Sequence, residues 1–178
     1  PLFADVDGDG AVTDNDKTDI GKGMPDFTYG ITLSAAWKGI DFILFGTGSQ
    51  GNDIYCCLNR VDYNLNRLKI FTADRWTESN RDGSMPKSTA TDYQKFMVSS
   101  GSVFDGSYFK IKQIQLGYTF PKQWVKKAAL ENLRIYGSLE DFITLTSYKG
   151  FDPEVSGGVD YGNYPQSRSF IFGVNITY

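Results

Sequence analysis

The chain has 178 residues, a net charge of −3 and a pI of about 4.9. This acidic balance excludes the basic surface that nucleic-acid binding requires, so we expect no nucleic-acid partner. The sequence contains no histidine, and its two cysteines, Cys56 and Cys57, are adjacent. These facts exclude His-based catalytic triads and most zinc sites, and we expect no catalytic residues and no enzymatic activity.

Residues 1–26 form a loop rich in aspartate and glycine, and residues 27–47 follow as a β-hairpin. The first strand, 27–37, alternates strictly between large apolar and small residues, and its length suits a tilted membrane-spanning strand of about 9–11 residues. Lys38-Gly39 is a tight turn. The second strand, 40–47, returns with apolar residues on both faces.

A long excursion over residues 48–106 comes next. Its apolar positions within 64–76 indicate a helix. A connection of this length in a compact fold is usually either functional or disordered.

Residues 107–143 form a strand, a turn and a strand, with the strands over 107–120 and 132–143. In the first of these, Phe109 and Ile111 have the opposite parity to the apolar residues that follow them. Two explanations remain open: a β-bulge near Lys112, or an upper part of the strand that projects beyond a membrane.

A second long loop, 144–167, precedes the terminal strand, 168–178. Every even position of this strand is large and apolar: Phe170, Phe172, Val174, Ile176 and Tyr178. Such a strand at an exposed edge invites aggregation in water, whereas the lipid-facing wall of a membrane barrel requires it.

Long and short connections alternate along the chain, as they do in outer-membrane barrels. This alternation predicts that loops 1–26, 48–106 and 144–167 are extracellular and that the short turns are periplasmic. Five strands cannot close a barrel, which needs about eight or more, so we expect this chain to be part of a longer protein.

The aspartate-rich segment 5–16, here called the acidic loop, matches the calcium-loop pattern. Gly10 stands where that loop must turn sharply. The candidate Ca²⁺ ligands are Asp5, Asp7, Asp9, the backbone carbonyl of Ala11, and Asp16. The alternative, a solvated Asp/Gly turn that needs no ion, remains open.

An ordered set of short motifs spans almost the whole chain. These motifs are Asp5–Gly10, Pro25–Gly30, Gly51–Tyr55, Arg75–Thr77, Gly106–Lys112, Leu116–Pro121, Tyr148–Val155, Asp160–Gly162, Tyr164–Arg168 and the terminal strand. In this order they resemble the C-terminal end of the SusC/RagA family of TonB-dependent outer-membrane transporters. The segment Ser138–Phe142 departs from the family pattern, because two carboxylates replace the usual amides.

The resemblance implies an all-β fold, in which the chain supplies the C-terminal five antiparallel strands of a transmembrane barrel of about 22 strands with long extracellular loops. It also implies TonB-dependent import of glycans or peptides across the outer membrane of a Gram-negative cell. The implied partners are a SusD-like surface lipoprotein, TonB (through an N-terminal part of the protein), outer-membrane lipid, and an oligosaccharide or peptide substrate whose binding residues are unknown.

Two other functions remain open at this point. One is a soluble, secreted, all-β glycan-binding module stabilised by calcium. The other is a glycan-acting enzyme, for which Asp152 and Glu154 are the nearest pair of carboxylates. Trp76 either stacks on a sugar ring or packs within its own loop.

Overall fold

A computed structural model describes residues 3–58, 69–87 and 96–178. Eight strands and a one-turn helix lie in these ranges: β1 (Phe27–Trp37), β2 (Ile40–Gln50), β3 (Asp53–Cys56), β4 (Val103–Asp105), β5 (Tyr108–Thr119), α1 (Lys122–Val125), β6 (Asn132–Thr146), β7 (Val159–Asp160) and β8 (Ser169–Thr177). None of the described helices is long and apolar enough to cross a membrane.

The chain divides into two compact units. The sheet unit comprises residues 27–50, 108–146 and 165–178, and the loop unit comprises residues 1–26, 51–107 and 147–164.

The sheet unit is a single antiparallel sheet with the strand order β1-β2-β5-β6-β8. The five predicted antiparallel strands are therefore confirmed. At one end of the sheet, consecutive strands are joined by residues 38–39 and 120–131. At the other end they are joined by the much longer segments 51–107 and 147–168.

Two strands are longer than the sequence predicts. β2 continues to Gln50, where it pairs with Phe27, and β6 continues to Thr146, where it pairs with Tyr108. The end of β2 is rich in glycine, serine and threonine, which read as a turn in the sequence. Partner strands on both sides supply hydrogen bonds to this segment, and that pairing outweighs its weak strand propensity.

The register shifts at a β-bulge between Ile111 and Gln113, so that Lys112 is the extra residue. Ile111 pairs with Gly46 and Ile114 pairs with Leu44. The bulge near Lys112 is therefore present, and it returns the apolar residues before and after it to one face of the sheet.

The loop unit contains its own three-stranded sheet, with the order β4-β3-β7. β3 runs antiparallel to β4 and parallel to β7. The long excursion of the chain therefore includes regular structure.

The predicted helix over residues 64–76 is wrong for its described part. Residues 69–71 form a single 3-10 turn, and the N–H of Trp76 donates to the carbonyl of Met85 at 2.7 Å. The Asp74 carboxylate accepts hydrogen bonds from Ser84 and Asn80, which draws the backbone into turns instead of a helix. Residues 64–68 lie outside the described residues.

A buried polar contact joins two residues of the segment 147–164 in the loop unit. The Tyr148 hydroxyl donates to the Asp160 carboxylate at 2.6 Å, and both side chains are buried. The N–H of Gly162 donates to the other oxygen of Asp160 at 2.8 Å. Burial, followed by the hydrogen bond to Asp160, raises the pKa of Tyr148 far above its ordinary value.

Cys56 is buried and unoxidised, and burial raises the pKa of its thiol.

We predict that Tyr148→Phe loosens the loop unit. The Asp160 carboxylate then loses a hydrogen-bond donor, and because the site is buried, water cannot easily replace that donor. The expected cost is about 1–3 kcal/mol in the local opening free energy. Hydrogen exchange of residues 147–164 in the full-length protein measures it. Tyr161→Phe is the matched control, because the Tyr161 side chain is 76% exposed. Equal exchange in the two variants would contradict a stabilising role for this contact.

Candidate functional site

One face of the sheet unit, here called the apolar face, carries aligned rows of apolar residues. The strand register places Leu33, Leu44, Ile114, Leu139 and Phe170 in one row across all five strands. The next two rows are Ala35, Phe42, Leu116, Gly137 and Phe172, and then Trp37, Ile40, Tyr118, Ile135 and Val174.

Many side chains of the apolar face are exposed. Phe170 is 69% exposed and Phe172 is 65% exposed. Removing one such side chain from water is worth about 1.5–3 kcal/mol, so the combined face strongly favours contact with an apolar medium. Contiguous apolar surface of this extent marks a protein or membrane contact.

The opposite face of the sheet, here called the polar face, carries mostly small or polar residues. Arg134 makes two hydrogen bonds to the Asp41 carboxylate, from Nε to Oδ1 at 3.0 Å and from Nη2 to Oδ2 at 2.5 Å. This pair lies directly over Gly117, where a Cβ atom would come within 2.5 Å of Asp41. Glycine at this position therefore allows the ion pair to cross the intervening strand.

Aromatic residues collect at the end of the sheet that carries the short connections. Trp37 is 66% exposed, Trp124 is 61% exposed, and Tyr178 is almost fully exposed. This position agrees with the interfacial aromatic girdle of membrane barrels.

The acidic loop brings three of its four predicted carboxylate ligands together. Carboxylate oxygens of Asp5, Asp7 and Asp9 lie within 4.8 Å of one another, and all three residues are exposed. Asp5 accepts hydrogen bonds from the N–H groups of Gly8 at 2.6 Å and Gly10 at 2.8 Å. Gly10 has a φ of 88°, a left-handed conformation that glycine adopts without strain.

The Asp16 carboxylate is not part of this cluster. The Asp16 carboxylate accepts from the N–H groups of Val6 and Thr13, each at 2.6 Å, and so closes the loop. The N–H of Ala11 donates to Asp9 at 2.8 Å. Sequence reasoning missed the closing role of Asp16, although its spacing from Thr13 is the signature of a capping box, which the structure contains.

Backbone hydrogen bonds set the charge state of two of these carboxylates. The N–H of Gly10, followed by that of Gly8, lowers the pKa of Asp5. The N–H of Thr13, followed by that of Val6, lowers the pKa of Asp16. Both groups therefore remain ionised at neutral pH. Three clustered carboxylates fit Ca²⁺, which prefers oxygen ligands and completes its shell with carbonyls and water.

Two further candidate residues have local partners within the loop unit. The Nζ atom of Lys87 lies 5.8 Å from the centre of the Trp76 ring and covers one of its faces, which favours packing over sugar stacking. Asp152 accepts from the N–H of Glu154 at 3.0 Å, which is an ordinary turn contact.

Comparison with known proteins found relatives along nearly the whole chain, although no protein-family model matches it. TonB-dependent receptor P3 of Formosa agariphila is 32% identical over 99% of this chain. TonB-dependent receptor SusC of Bacteroides thetaiotaomicron is 25% identical, also over 99% of this chain. The chain covers 19% of the first relative and 17% of the second, and so spans less than a fifth of either.

The fold also matches a solved structure. The RagAB peptide importer in its open-open state superposes with a TM-score of 0.75 and 24% identity, over 94% of this chain and 19% of the matched chain.

We predict that acid opens the acidic loop. Asp5 and Asp16 have pKa values depressed below the ordinary 3.8, so their contribution to loop stability is present above that pH and is lost as the pH falls below it. Pepsin, which is active in acid, should cleave residues 3–16 of the full-length protein faster as the pH falls below about 3.8. In Asp16→Asn, cleavage should be fast up to pH 5, whereas Asp14→Asn should behave as the wild type. A cleavage rate that does not depend on Asp16 would refute this account of the loop.

Proposed function

The chain belongs to the SusC/RagA family of TonB-dependent transporters of the Gram-negative outer membrane, and on this premise we propose that its sheet is part of the wall of a barrel that imports nutrients. The observation that carries the proposal is the apolar face, with its aligned rows across all five strands. On this proposal the apolar face contacts lipid and the polar face lines the lumen.

The sheet alone is not a stable membrane structure. Within the described residues, β1 and β8 each pair on one side only. Each unpaired N–H or carbonyl group costs roughly several kcal/mol in hydrocarbon. Further strands must therefore cover these edges. We propose that the closed barrel has about 22 strands, as the family resemblance implies.

The unequal lengths of the connections support a proposed orientation of the sheet in the membrane. Outer-membrane barrels have short periplasmic turns and longer extracellular loops. We therefore assign residues 38–39 and 120–131 to the periplasm and the three segments of the loop unit to the cell exterior. This assignment also places the acidic loop, 5–16, outside the cell.

Import on this proposal is powered through TonB, which would contact an N-terminal part of the protein. A SusD-like surface lipoprotein would cover the extracellular side, and the cargo would be an oligosaccharide or a peptide. The two relatives described above are named as receptors, which agrees with a non-enzymatic function. They lend no support to a soluble glycan-binding module.

We further propose that Asp5, Asp7 and Asp9 bind a structural Ca²⁺ ion in the acidic loop. Their oxygens are already close together, and without a cation the three like charges repel one another. The ion would hold this extracellular segment in one conformation and would take no part in transport chemistry. The Asp16 carboxylate accepts hydrogen bonds from the N–H groups of Val6 and Thr13, and it would stabilise the loop that holds the ion.

We predict that Phe172→Asp in the full-length receptor prevents insertion into the outer membrane. Phe172 lies on the apolar face, and a carboxylate there costs roughly 1–3 kcal/mol, depending on its depth. Asn175→Asp is the control, because Asn175 lies opposite Arg134 on the other face of β8. Heat-modifiability of membrane fractions reports the folded barrel.

The same variants test import. Two nutrients are supplied separately, an oligosaccharide mixture and a peptide mixture. A strain that lacks the receptor should fail to grow on one of them. Wild type and Asn175→Asp should restore growth, Phe172→Asp should not, and deletion of tonB should abolish the rescue. If the wild type inserts but restores growth on neither nutrient, nutrient import is refuted.

We predict that the full-length protein binds Ca²⁺ with modest affinity, about 10⁻⁴–10⁻³ M, because the loop is exposed and no long helix holds it. Titration calorimetry should show this binding in the wild type and its loss in Asp7→Ala/Asp9→Ala. Asp14→Ala, which removes an exposed carboxylate outside the cluster, should bind as the wild type does. The same heats in all three proteins would mean that the loop is only a solvated turn.

A further inference from the structure

Positive charge is concentrated at the end of the sheet that carries the short connections. The segments 38–39 and 120–131 contain four lysines and one acidic residue, Glu131, in a chain whose net charge is −3. The four lysines, here called the basic rim, are all exposed: Lys38, Lys122, Lys126 and Lys127.

The basic rim is continuous with the apolar face. Trp37 and Tyr118 belong to the row nearest this end of the sheet. The Tyr118 ring packs against Phe120 at 5.0 Å, and Phe120 packs against Trp124 at 6.5 Å. The Nζ atom of Lys38 lies 4.6 Å from the centre of the Trp37 ring. Aromatic side chains, of which Trp37 and Trp124 are exposed, therefore lie beside the lysines at this edge of the apolar face.

Backbone contacts hold the two rim segments to the strand ends. The N–H of Thr119 donates to the carbonyl of Gly39 at 2.7 Å, which ties the β1–β2 turn to β5. The N–H of Glu131 donates to the carbonyl of Thr177 at 2.8 Å, and the Val125 side chain of α1 is buried. The backbone segments that carry the lysines are thus held at the strand ends.

We propose that the basic rim binds the phosphate groups of anionic phospholipid, of the phosphatidylglycerol class, in the leaflet that surrounds this end of the barrel. Each lysine near an anionic lipid surface adds attraction, since a lysine can bury its aliphatic stem against apolar surface while its ammonium group reaches the headgroups. The aromatic rings favour the interface between the hydrocarbon and the headgroups. This inference goes beyond nutrient import and rests on the proposed function only for the contact between the apolar face and lipid.

The occupant follows from charge complementarity and from continuity with the lipid-facing surface. Zwitterionic lipid offers the rim no net charge, so the lysines should discriminate between headgroups. Aromatic contacts alone would not do so. Because the ammonium groups are exposed, the attraction should also weaken as salt is raised.

The test measures lipid binding to the full-length receptor in detergent by native mass spectrometry, with phosphatidylglycerol and phosphatidylcholine as the two probes. We expect the wild type to prefer phosphatidylglycerol. The variant Lys38→Gln/Lys122→Gln/Lys126→Gln/Lys127→Gln should bind phosphatidylglycerol about tenfold more weakly, with phosphatidylcholine binding unchanged.

The matched control replaces four exposed lysines of the loop unit, as Lys17→Gln/Lys22→Gln/Lys69→Gln/Lys149→Gln. It should keep the wild-type preference. Heat-modifiability verifies that each variant is folded. If the rim variant does not fold, Lys126→Gln/Lys127→Gln alone should still reduce the preference several-fold.

Two results would overturn the proposal. In one, the rim variant keeps the full preference for phosphatidylglycerol, and the lysines are then merely solvated. In the other, the variant loses both lipids equally, and the charge is then not the determinant. Import is measured separately by growth, so a receptor that binds phosphatidylglycerol as expected but imports nothing refutes only the proposed function.

Discussion

The hydrogen-bonded register between strands is the constraint on which the sheet unit depends. A slip of one residue would turn every side chain of a strand to the opposite face. β5 has one residue more than a simple alternating pattern allows, and the bulge at Lys112 accommodates this extra residue. The Nζ atom of Lys112 lies 3.6 Å from the Asp141 carboxylate, so the irregular point of the sheet also carries an ion pair. The apolar rows before and after the bulge remain on one face as a result.

The two faces of the sheet meet opposite demands within one set of strands. The apolar face exposes large side chains and needs an apolar medium, whereas the polar face carries charge that must be paired. The bidentate contact between Arg134 and Asp41 meets that need, because the planar guanidinium matches both carboxylate oxygens. Its partial exposure, 21% for Arg134 and 28% for Asp41, leaves the remaining hydrogen-bonding groups within reach of water.

Period-2 alternation predicted the strands of the sheet, although the pattern was weaker in 40–47. The change of parity in β5 indicated either a bulge near Lys112 or a projecting strand end, and the register shows the bulge. The same reasoning ended β2 too early, because residues 48–50 have weak strand propensity and form a strand only through their partners. It also missed the small sheet of the loop unit. β4 and β7 span three and two residues, too few for any period, and they pair with β3 across long stretches of sequence. In the acidic loop, spacing predicted the cluster of Asp5, Asp7 and Asp9 but not the competing backbone contacts of Asp16.

Carboxylates have different roles in the loop unit and the sheet unit. In the loop unit they accept backbone and hydroxyl hydrogen bonds and so take the place of regular secondary structure. Asp74 holds Ser84, and Asp105 accepts from the N–H of Ser107 and the hydroxyl of Ser147. Hydrogen bonds from Ser84 and Ser107 lower the pKa values of Asp74 and Asp105, respectively, so both remain charged in water at neutral pH.

A charged carboxylate on the apolar face has no such freedom, because hydrocarbon supplies neither solvation nor donors. The acidic residues of the five strands are only Asp41, Glu140 and Asp141. Asp41 and Glu140 pair in register with residues of the polar face, and Asp141 lies at the bulge beside Lys112. The distribution of acidic residues therefore follows the division between the two units: carboxylates organise the loop unit, and in the sheet unit they are confined to the polar face or to the bulge beside Lys112.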